Sequence, residues 1–489
     1  MAKMPEESVN MMSEIFDDAS SRRYSSPLRW LSLITVSFAV FGAYYAYDTI
    51  SPARRVLETE LGFGPSSFSW LVAIYSLPNL LGITLLGGII ADRRGIRFAG
   101  KLFITLTLMG SLITAFGVSS FFRTSHLAEG IRMVSGSFSP EFIVMFIGRF
   151  IFGMGAEVLI VTQEKVIVRW FKGRELGLAF GIGLLICRIG TIAAFIVSTR
   201  ILDSTRVYTM LENAGFMMMV TDKSSGLETV IWLGAVIMLL STGSFMLYTL
   251  VEKTYSRKHS MKESNFSGNH KGGSILNVLK SKPFIWISLL CFSFYSAVFP
   301  FTSFATDILQ SKFGISISSA GFYTSLVMTS TIIGTPFFGY IVDHYGYRGR
   351  IMILGSILMT LSHSLLAFTS IHPLVAIVIM GISFSAVPAA IWPSVAIFID
   401  ENDVGTAYGF LGVVQNAGLW GVPILIGKIT DWTNPGVTTD MVNRKLAVWD
   451  YSGALILLTA FAFISVISAM MIRKTAKPGS EFFLPGIKK

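Results

Sequence analysis

The chain has 489 residues, of which 52% are hydrophobic and only 14% charged, with a mean hydropathy of +0.63. A soluble domain carries about a quarter charged residues, so a soluble enzyme or a nucleic-acid-binding domain is excluded and the net charge of +10 needs another explanation. Apolar runs of about 20 residues, the length that crosses a bilayer as a helix, recur instead along the whole chain.

Residues 1–27 are polar and partly acidic and read as a cytoplasmic tail. The first apolar run, 28–48, is too long for the apolar core of a cleavable signal peptide. Further runs at 68–91, 99–119, 141–165, 175–199 and 229–251 complete a first bundle over 28–251. The stretch 252–282, "EKTYSRKHSMKESNFSGNHKGGSILNVLKSK", is polar, basic and rich in Gly and Ser, and reads as a cytoplasmic linker. Runs at 283–305, 317–342, 350–370, 373–399, 404–430 and 447–471 form a second bundle over 283–471, followed by a tail at 472–489. The expected fold is an all-α integral membrane protein with twelve transmembrane helices in two pseudo-symmetric six-helix bundles.

With both termini inside, and with residues near a span end counted on the side they adjoin, 26 of the 39 Lys and Arg fall on the cytoplasmic side, 11 outside and 2, Arg149 and Arg188, deep within spans. This asymmetry orients helices in a membrane and accounts for the net charge without nucleic acid; the lipid bilayer is the partner it implies. Cys187 and Cys291 both lie within spans, which leaves no disulfide framework. The six histidines are scattered without metal-ligand spacing, and only His363 lies deep in a span. No metal or cofactor is expected.

The halves repeat. "GIIADRRGIR" (Gly88–Arg97) after span 2 and "GYIVDHYGYR" (Gly339–Arg348) after span 8 share the pattern G-x-x-x-D-x-x-G-x-R at an offset of 251 residues. In each, glycine at the span end permits close helix approach. Asp92 or Asp343 can accept from a neighbouring helix N-terminus, Gly95 or Gly346 turns the chain, and arginines such as Arg93 stay at the cytoplasmic surface. Such loops read as latches between helix bundles.

A second repeat aligns "GLAFGIGLLICRIG" (Gly177–Gly190) in span 5 with "GTAYGFLGVVQNAG" (Gly405–Gly418) in span 11 at an offset of 228, placing Arg188 on Asn416, Glu157 on Ser385 and Arg149 on Ile377. The scaffold repeats, and the charges do not.

Arg149, Glu157 and Arg188 lie inside spans, where an ionised side chain costs a few kcal/mol and usually marks a pathway. Glu157 and Arg188 lie roughly 13 Å and 20 Å from the cytoplasmic ends of spans 4 and 5 at about 1.5 Å per residue, so they can face one cavity. They read either as a salt bridge locking two helices or as ligand contacts. Arg149, eight residues before Glu157, reads either as a gating residue or as a hydrogen-bonding brace. Near the same height, Tyr44 and Tyr47, Tyr75 and Asn79, Tyr295 and Phe299, Trp392, Gln415 and Asn416 can complete a cavity. Asn416, in the repeat position of Arg188, can hydrogen-bond a peptide bond.

The paired loops, twelve spans and six-plus-six repeat resemble the major facilitator superfamily over nearly the whole chain, and "RFIFGMGA" (Arg149–Ala156) resembles a second signature of it that is linked to coupling and gating. Within it, "YSLPN" (Tyr75–Asn79), "GRFIFGMGAE" (Gly148–Glu157), "WFKGRELGLAFG" (Trp170–Gly181), "RIG" (Arg188–Gly190), "AVFPF" (Ala297–Phe301), "WP" (Trp392, Pro393) and "GTAYGF" (Gly405–Phe410) resemble the lysosomal dipeptide transporters.

That resemblance implies transport by rocking of two halves, dipeptides as substrate, uniport, a lysosomal, endosomal or cell membrane, and an accessory membrane glycoprotein as partner. It places Glu157 and Arg188 as a clamp on the amine and carboxylate of a dipeptide, which stand at most about 7 Å apart. Tyr47, Tyr75, Trp392, Gln415 and Asn416 line the same site; Arg149, Asp92, Arg93, Gly95, Asp343 and Gly346 gate it. The chain departs from the animal pattern in its long outer segments, 119–141 and 200–228, and in "ESVNMM" (Glu7–Met12) where a sorting signal would carry leucines. A proton-coupled carrier of small organic anions is the alternative. An intramembrane enzyme would need paired aspartates, a zinc motif or a nucleophile with its base, and an ATP-driven pump a P-loop; the sequence has none of these.

Overall fold

The computed structural model of the protein describes residues 26–136, 138–171, 175–203, 226–258, 275–400, 403–444 and 446–476. Most of both tails, the middle of the linker and most of the outer segment 200–228 lie outside these residues. Among the described residues every regular element is a helix, as a bilayer requires of a chain that must meet its own backbone hydrogen bonds.

In the first half, α1 (Ser26–Asp48) is followed on the outer side by the short α2 (Arg54–Leu61). The second crossing consists of α3 (Pro65–Ala73), α4 (Leu77–Leu80) and α5 (Ile83–Arg94), and the third is α6 (Ile96–Val118). Two outer helices, α7 (Ser120–Arg123) and α8 (His126–Val134), lead into α9 (Pro140–Phe171), α10 (Leu176–Asp203) and α11 (Leu227–Lys258). After α12 (Ile275–Val278) the second half runs through α13 (Lys282–Phe313), α14 (Ile317–Tyr345), α15 (Arg348–Phe368), α16 (Pro373–Phe398) and α17 (Val404–Thr433). The outer α18 (Thr439–Asn443) precedes α19 (Ser452–Thr475).

Eleven of these helices are long and apolar enough to cross a membrane. The remaining crossing, expected as one helix over 68–91, is broken into α3, α4 and α5. Pro78 has no N–H to give and its ring excludes the carbonyl of Ile74 from the helical ladder. Gly82 then turns the chain with φ +90, a conformation open mainly to glycine. The two breaks bracket Asn79, and Tyr75 stands at the first.

Helix ends also run further into the cytoplasmic side than apolar periodicity indicates. The extended ends of α9 and α11 are tied by Arg169 Nη1 and Glu252 Oε1 at 2.8 Å, with Glu252 buried. Within the first half, α6 and α9 pack most closely where Gly110 meets the backbone of Phe152; a Cβ there would lie 2.3 Å from its nitrogen. Across the halves, α10 packs on α14, α3 and α4 pack on α17, and α2 meets α13. These three seams enclose the space described next.

Candidate functional site

A cavity of about 1040 Å³ lies between the halves, large enough for a small organic ligand. At its deep end Tyr44, Tyr47, Tyr75, Asn79 and Glu157 of the first half face Phe299, Trp392, Gln415 and Asn416 of the second. It continues past Glu164 to Asp92, Lys165, Gly405 and Tyr408. By the Lys/Arg asymmetry that end is cytoplasmic, so this is an inward-open state.

Glu157 Oε1 accepts a hydrogen bond from Tyr75 Oη at 2.8 Å. Among the described residues no Lys, Arg or His forms an ion pair with it. Tyr75 sits at the first break of the second crossing, and this is possible because Gly153 lies against it: a Cβ on Gly153 would stand 2.1 Å from the Tyr75 carbonyl oxygen. Asn79 Nδ2 donates to the Gly153 carbonyl at 3.4 Å and Asn79 Oδ1 accepts from Thr84 at 2.8 Å, which anchors the short α4. The break therefore places Tyr75 and Asn79 on the cavity wall opposite the second half.

Arg149 is buried, and its donors are spent on backbone. Nε donates to Leu71 O at 3.2 Å and Nη1 to Tyr47 O at 3.1 Å. The guanidinium also lies 4.8 Å from the Tyr47 ring centroid. It ties the end of α1 to α3. The Tyr47 and Tyr75 rings lie between Arg149 and Glu157, tilted at 48° to each other with centroids 4.3 Å apart.

Arg188 is half-buried at the seam between α10 and the second half. Its guanidinium lies 5.5 Å from the Phe384 ring centroid and Nη1 approaches Met328 Sδ at 3.4 Å. Glu157 and Arg188 are not paired with each other, so the locked salt bridge that the sequence left open is absent. Only Glu157 lines the open cavity. On the facing wall, Trp392 Nε1 donates to Tyr295 Oη at 3.1 Å, and Phe299 stacks on Tyr295 with centroids 5.7 Å apart.

The repeated loops turn as their glycines predict, with φ +84 at Gly95 and +73 at Gly346. Asp92, however, does not accept from a helix N-terminus. Its Oδ1 accepts from Lys165 Nζ at 2.6 Å, and Lys165 also donates to Gly88 O at 3.1 Å. The latch thus closes within the first half, onto the cytoplasmic end of α9. Asp343 and Arg93 are exposed.

The outer end carries a cluster that the sequence reading missed. Arg54 and Glu58 of α2 meet Asp307 of α13, and the three side chains are 1%, 0% and 1% exposed. Arg54 pairs with Asp307, with Glu58 Oε2 at 3.5 Å on its other side. Tyr451 donates to Asp307, Trp449 Nε1 donates to Glu58 Oε1 at 2.7 Å, and Thr439 adds a bond to the same oxygen at 3.3 Å. Burial pushes the Glu58 carboxyl above its usual range, opposed by Arg54 and reinforced by Asp307. These bonds join the halves across the outer end. The signal was present in two separate places: Asp307 lies two residues past the apolar run ending at 305, and "VWDY" (Val448–Tyr451) opens the run at 447–471, but nothing in the sequence joins them.

The sequence profile of the Major Facilitator Superfamily matches residues 36–421. The chain belongs to this superfamily. It is 30% identical to the lysosomal dipeptide transporter MFSD1 of Danio rerio over 408 residues, which covers 82% of this chain and 81% of that one. To the lysosomal dipeptide transporter MFSD1 of Homo sapiens it is 30% identical over 411 residues, 82% and 80% of the two chains. Among solved structures, a bacterial homologue of the human lysosomal transporter Spinster in an inward-facing and occupied conformation superposes with a TM-score of 0.66 at 15% identity, over 92% of this chain and 97% of that one. A D-xylose–proton symporter gives 0.64 at 16% identity, over 93% and 98%. At such identities the solved structures establish the fold alone. The superfamily member described here is a multi-pass membrane transporter of small molecules and not an enzyme.

Proposed function

We propose that this transporter carries dipeptides as a uniporter by alternating access, with Glu157 receiving the substrate amine and Arg188 its carboxylate. The observation that carries the reading is Glu157: a carboxylate on the wall of the central cavity, with a tyrosine hydroxyl but no cation beside it. The rest of the lining leans the same way. Asp92, Glu157 and Glu164 face the cavity against Lys165 alone, and Lys165 is held by Asp92. A cavity of that charge favours a ligand bearing a cation over a simple organic anion, and it disfavours the alternative left open by the sequence. Arg188 stands at the packed seam between the halves, against Met328 and Phe384, and a guanidinium suits a carboxylate through its paired donors. The relatives named as dipeptide transporters support the same substrate class.

The latch residues Asp92, Arg93, Gly95, Asp343 and Gly346, together with the Arg149 brace, then serve the exchange between inward and outward states rather than binding. Thermal-shift and uptake measurements on purified protein, with dipeptides, free amino acids and organic anions, test the substrate. Glu157→Gln is expected to weaken dipeptide binding roughly ten- to a hundredfold through the loss of a charge-assisted bond. An N-acetylated dipeptide should bind the parent poorly and lose little more on that substitution. Saturable uptake of organic anions with no response to dipeptides would overturn the reading.

A further inference from the structure

Asn416 carries the cavity wall on α17, next to Gln415 and opposite Glu157, and is 7% exposed. Its Nδ2 donates to the carbonyl of Gly412, one turn earlier, at 3.0 Å. A carbonyl can only accept, so this bond fixes which way round the amide stands and turns Oδ1 away from its own helix. Oδ1 has no donor within reach. A buried amide oxygen without a donor is a cost that native structures rarely carry without purpose. The repeat-related position shows the complementary lack: Arg188 Nε is a buried donor without an acceptor. One half of the site is short of an acceptor and the other short of a donor, at positions related by the internal repeat.

A dipeptide supplies both. Its peptide nitrogen and its terminal carboxylate hang on one Cα, with the nitrogen and the carboxyl carbon about 2.5 Å apart. A carboxylate drawn to Arg188 therefore brings the peptide N–H with it, while the amine, the only other donor on the backbone, is taken by Glu157. In the inward-open state Oδ1 is covered by the wall rather than met by a donor, and it is met when the wall closes on the ligand. We propose that Asn416 Oδ1 accepts the peptide N–H of the substrate, so that the transporter discriminates against peptides whose linking nitrogen bears no hydrogen, those with proline or an N-methylated residue in second place.

This rests on the dipeptide reading, and the test separates the two. The probes are glycyl-alanine, its isomer glycyl-sarcosine with the methyl moved to nitrogen, and glycyl-lactic acid, in which an ester oxygen replaces the N–H without added bulk. Binding to the parent protein is measured for each, and again for Asn416→Ala. A site that must leave an acceptor unmet rejects the analogue lacking the donor. The parent should therefore bind glycyl-alanine roughly five- to a hundredfold more tightly than either analogue. Asn416→Ala should weaken glycyl-alanine and leave the ester nearly unchanged, closing the gap. A residue that only supports the helix would lower all three alike.

If glycyl-alanine and the ester bind the parent equally, the assignment of Asn416 is wrong while the dipeptide reading stands. A full gap surviving in Asn416→Ala has the same meaning. If none of the three binds, the dipeptide reading itself fails. Should Asn416→Ala not fold, the comparison of amide and ester in the parent still decides.

Discussion

Replacing Asp307 with Asn tests whether the outer cluster holds the inward-open state. The substitution keeps size and shape but removes the charge that Arg54 pairs with, and it leaves one acceptor oxygen where Arg54, Tyr451 and Arg55, the last at 3.5 Å, now share two. Removing one partner of a buried pair costs about 3–5 kcal/mol because the other charge is left uncompensated. Glu58, 3.5 Å from Arg54, offsets part of this. The penalty applies where the cluster is buried, with the outer end closed, and largely vanishes once the halves part and water reaches Arg54. At 1.4 kcal/mol per tenfold, the equilibrium should move toward the outward-open state by roughly a hundred- to a few thousandfold.

A reporter sits conveniently below. Ser303 lies one turn deeper on α13 than Asp307 and is 4% exposed, and a cysteine there is shielded from the outside while the cluster is closed. With Cys187 and Cys291 replaced, a membrane-impermeant maleimide applied from outside should label Ser303→Cys slowly in the parent and quickly beside Asp307→Asn. Adding Arg54→Gln removes the stranded charge and should return part of the protection. Unchanged labelling in Asp307→Asn, in protein that remains folded, would refute the argument that these bonds hold the outer end shut.

Asp92→Asn should lower turnover more than dipeptide affinity, since Asp92 meets Lys165 at the cytoplasmic end of the cavity rather than at its deep end; Lys165→Met should reproduce the phenotype in uptake assays. Gly153→Ala forces a Cβ onto the Tyr75 carbonyl, which as backbone cannot give way, and should destabilise by about 1–3 kcal/mol in thermal unfolding. Gly88→Ala should stay near the parent: nothing lies within 4 Å of a Cβ at Gly88 or at Gly339, so the close helix approach expected at these two span ends is not found there. Closure of the outer end should also respond to pH. Glu58 faces Arg54, Arg55, Asp307, Trp449, Tyr451 and Thr439, and burial raises its carboxyl when the end is closed; parting the halves hydrates it and returns it to the usual range. The closed state therefore holds the proton more tightly. Ser303→Cys labelling should slow as pH falls through the raised value, and Glu58→Gln should flatten that slope.

The number of crossings, their direction and the two-fold repeat are legible in the sequence because a bilayer imposes one period and one length on every segment. The second crossing shows where that legibility ends. Its apolar run is continuous, so hydropathy reads one helix, while Pro78 and Gly82 divide it into three. Both residues are visible in the sequence, yet proline and glycine are common in membrane helices, and here α13 and α16 keep their helical course through Pro300, Pro388 and Pro393. Only the tertiary requirement that Tyr75 turn toward Glu157 distinguishes the break from a kink. The candidate lining residues were legible for a simpler reason: charged and amide groups near mid-membrane are few, and Glu157, Gln415 and Asn416 reach the cavity together with Tyr47, Tyr75 and Trp392, whereas Arg188 stands at the seam beside it. The outer cluster was not legible, because its bonds join positions up to 391 residues apart that lie between apolar runs or at their outer ends.

The three charges inside the spans differ in whether their hydrogen-bonding capacity is already spent. Arg149 has given its donors to the carbonyls of Leu71 and Tyr47, so its cost of burial is repaid by holding α3 against α1. Glu157 has a tyrosine and no cation; Arg188 has a thioether, a ring face and a donor left without an acceptor. A charge whose partners all lie within the protein needs no ligand to explain it, whereas two charges of opposite sign left incompletely met, Glu157 on the cavity wall and Arg188 at the seam with the second half, do. The geometry also suggests how occupancy is felt elsewhere. Tyr75, which donates to Glu157, stands at the break of the second crossing. The piece beyond that break is α3, whose Leu71 carbonyl is held by Arg149, whose Phe68 ring packs under Arg54 at 5.6 Å, and whose far end bonds Asp431 of α17 through Ser66. On the proposed reading, a substrate amine that displaces the Tyr75 hydroxyl from Glu157 acts on α3, a short segment that reaches from the break at Tyr75 to the outer cluster.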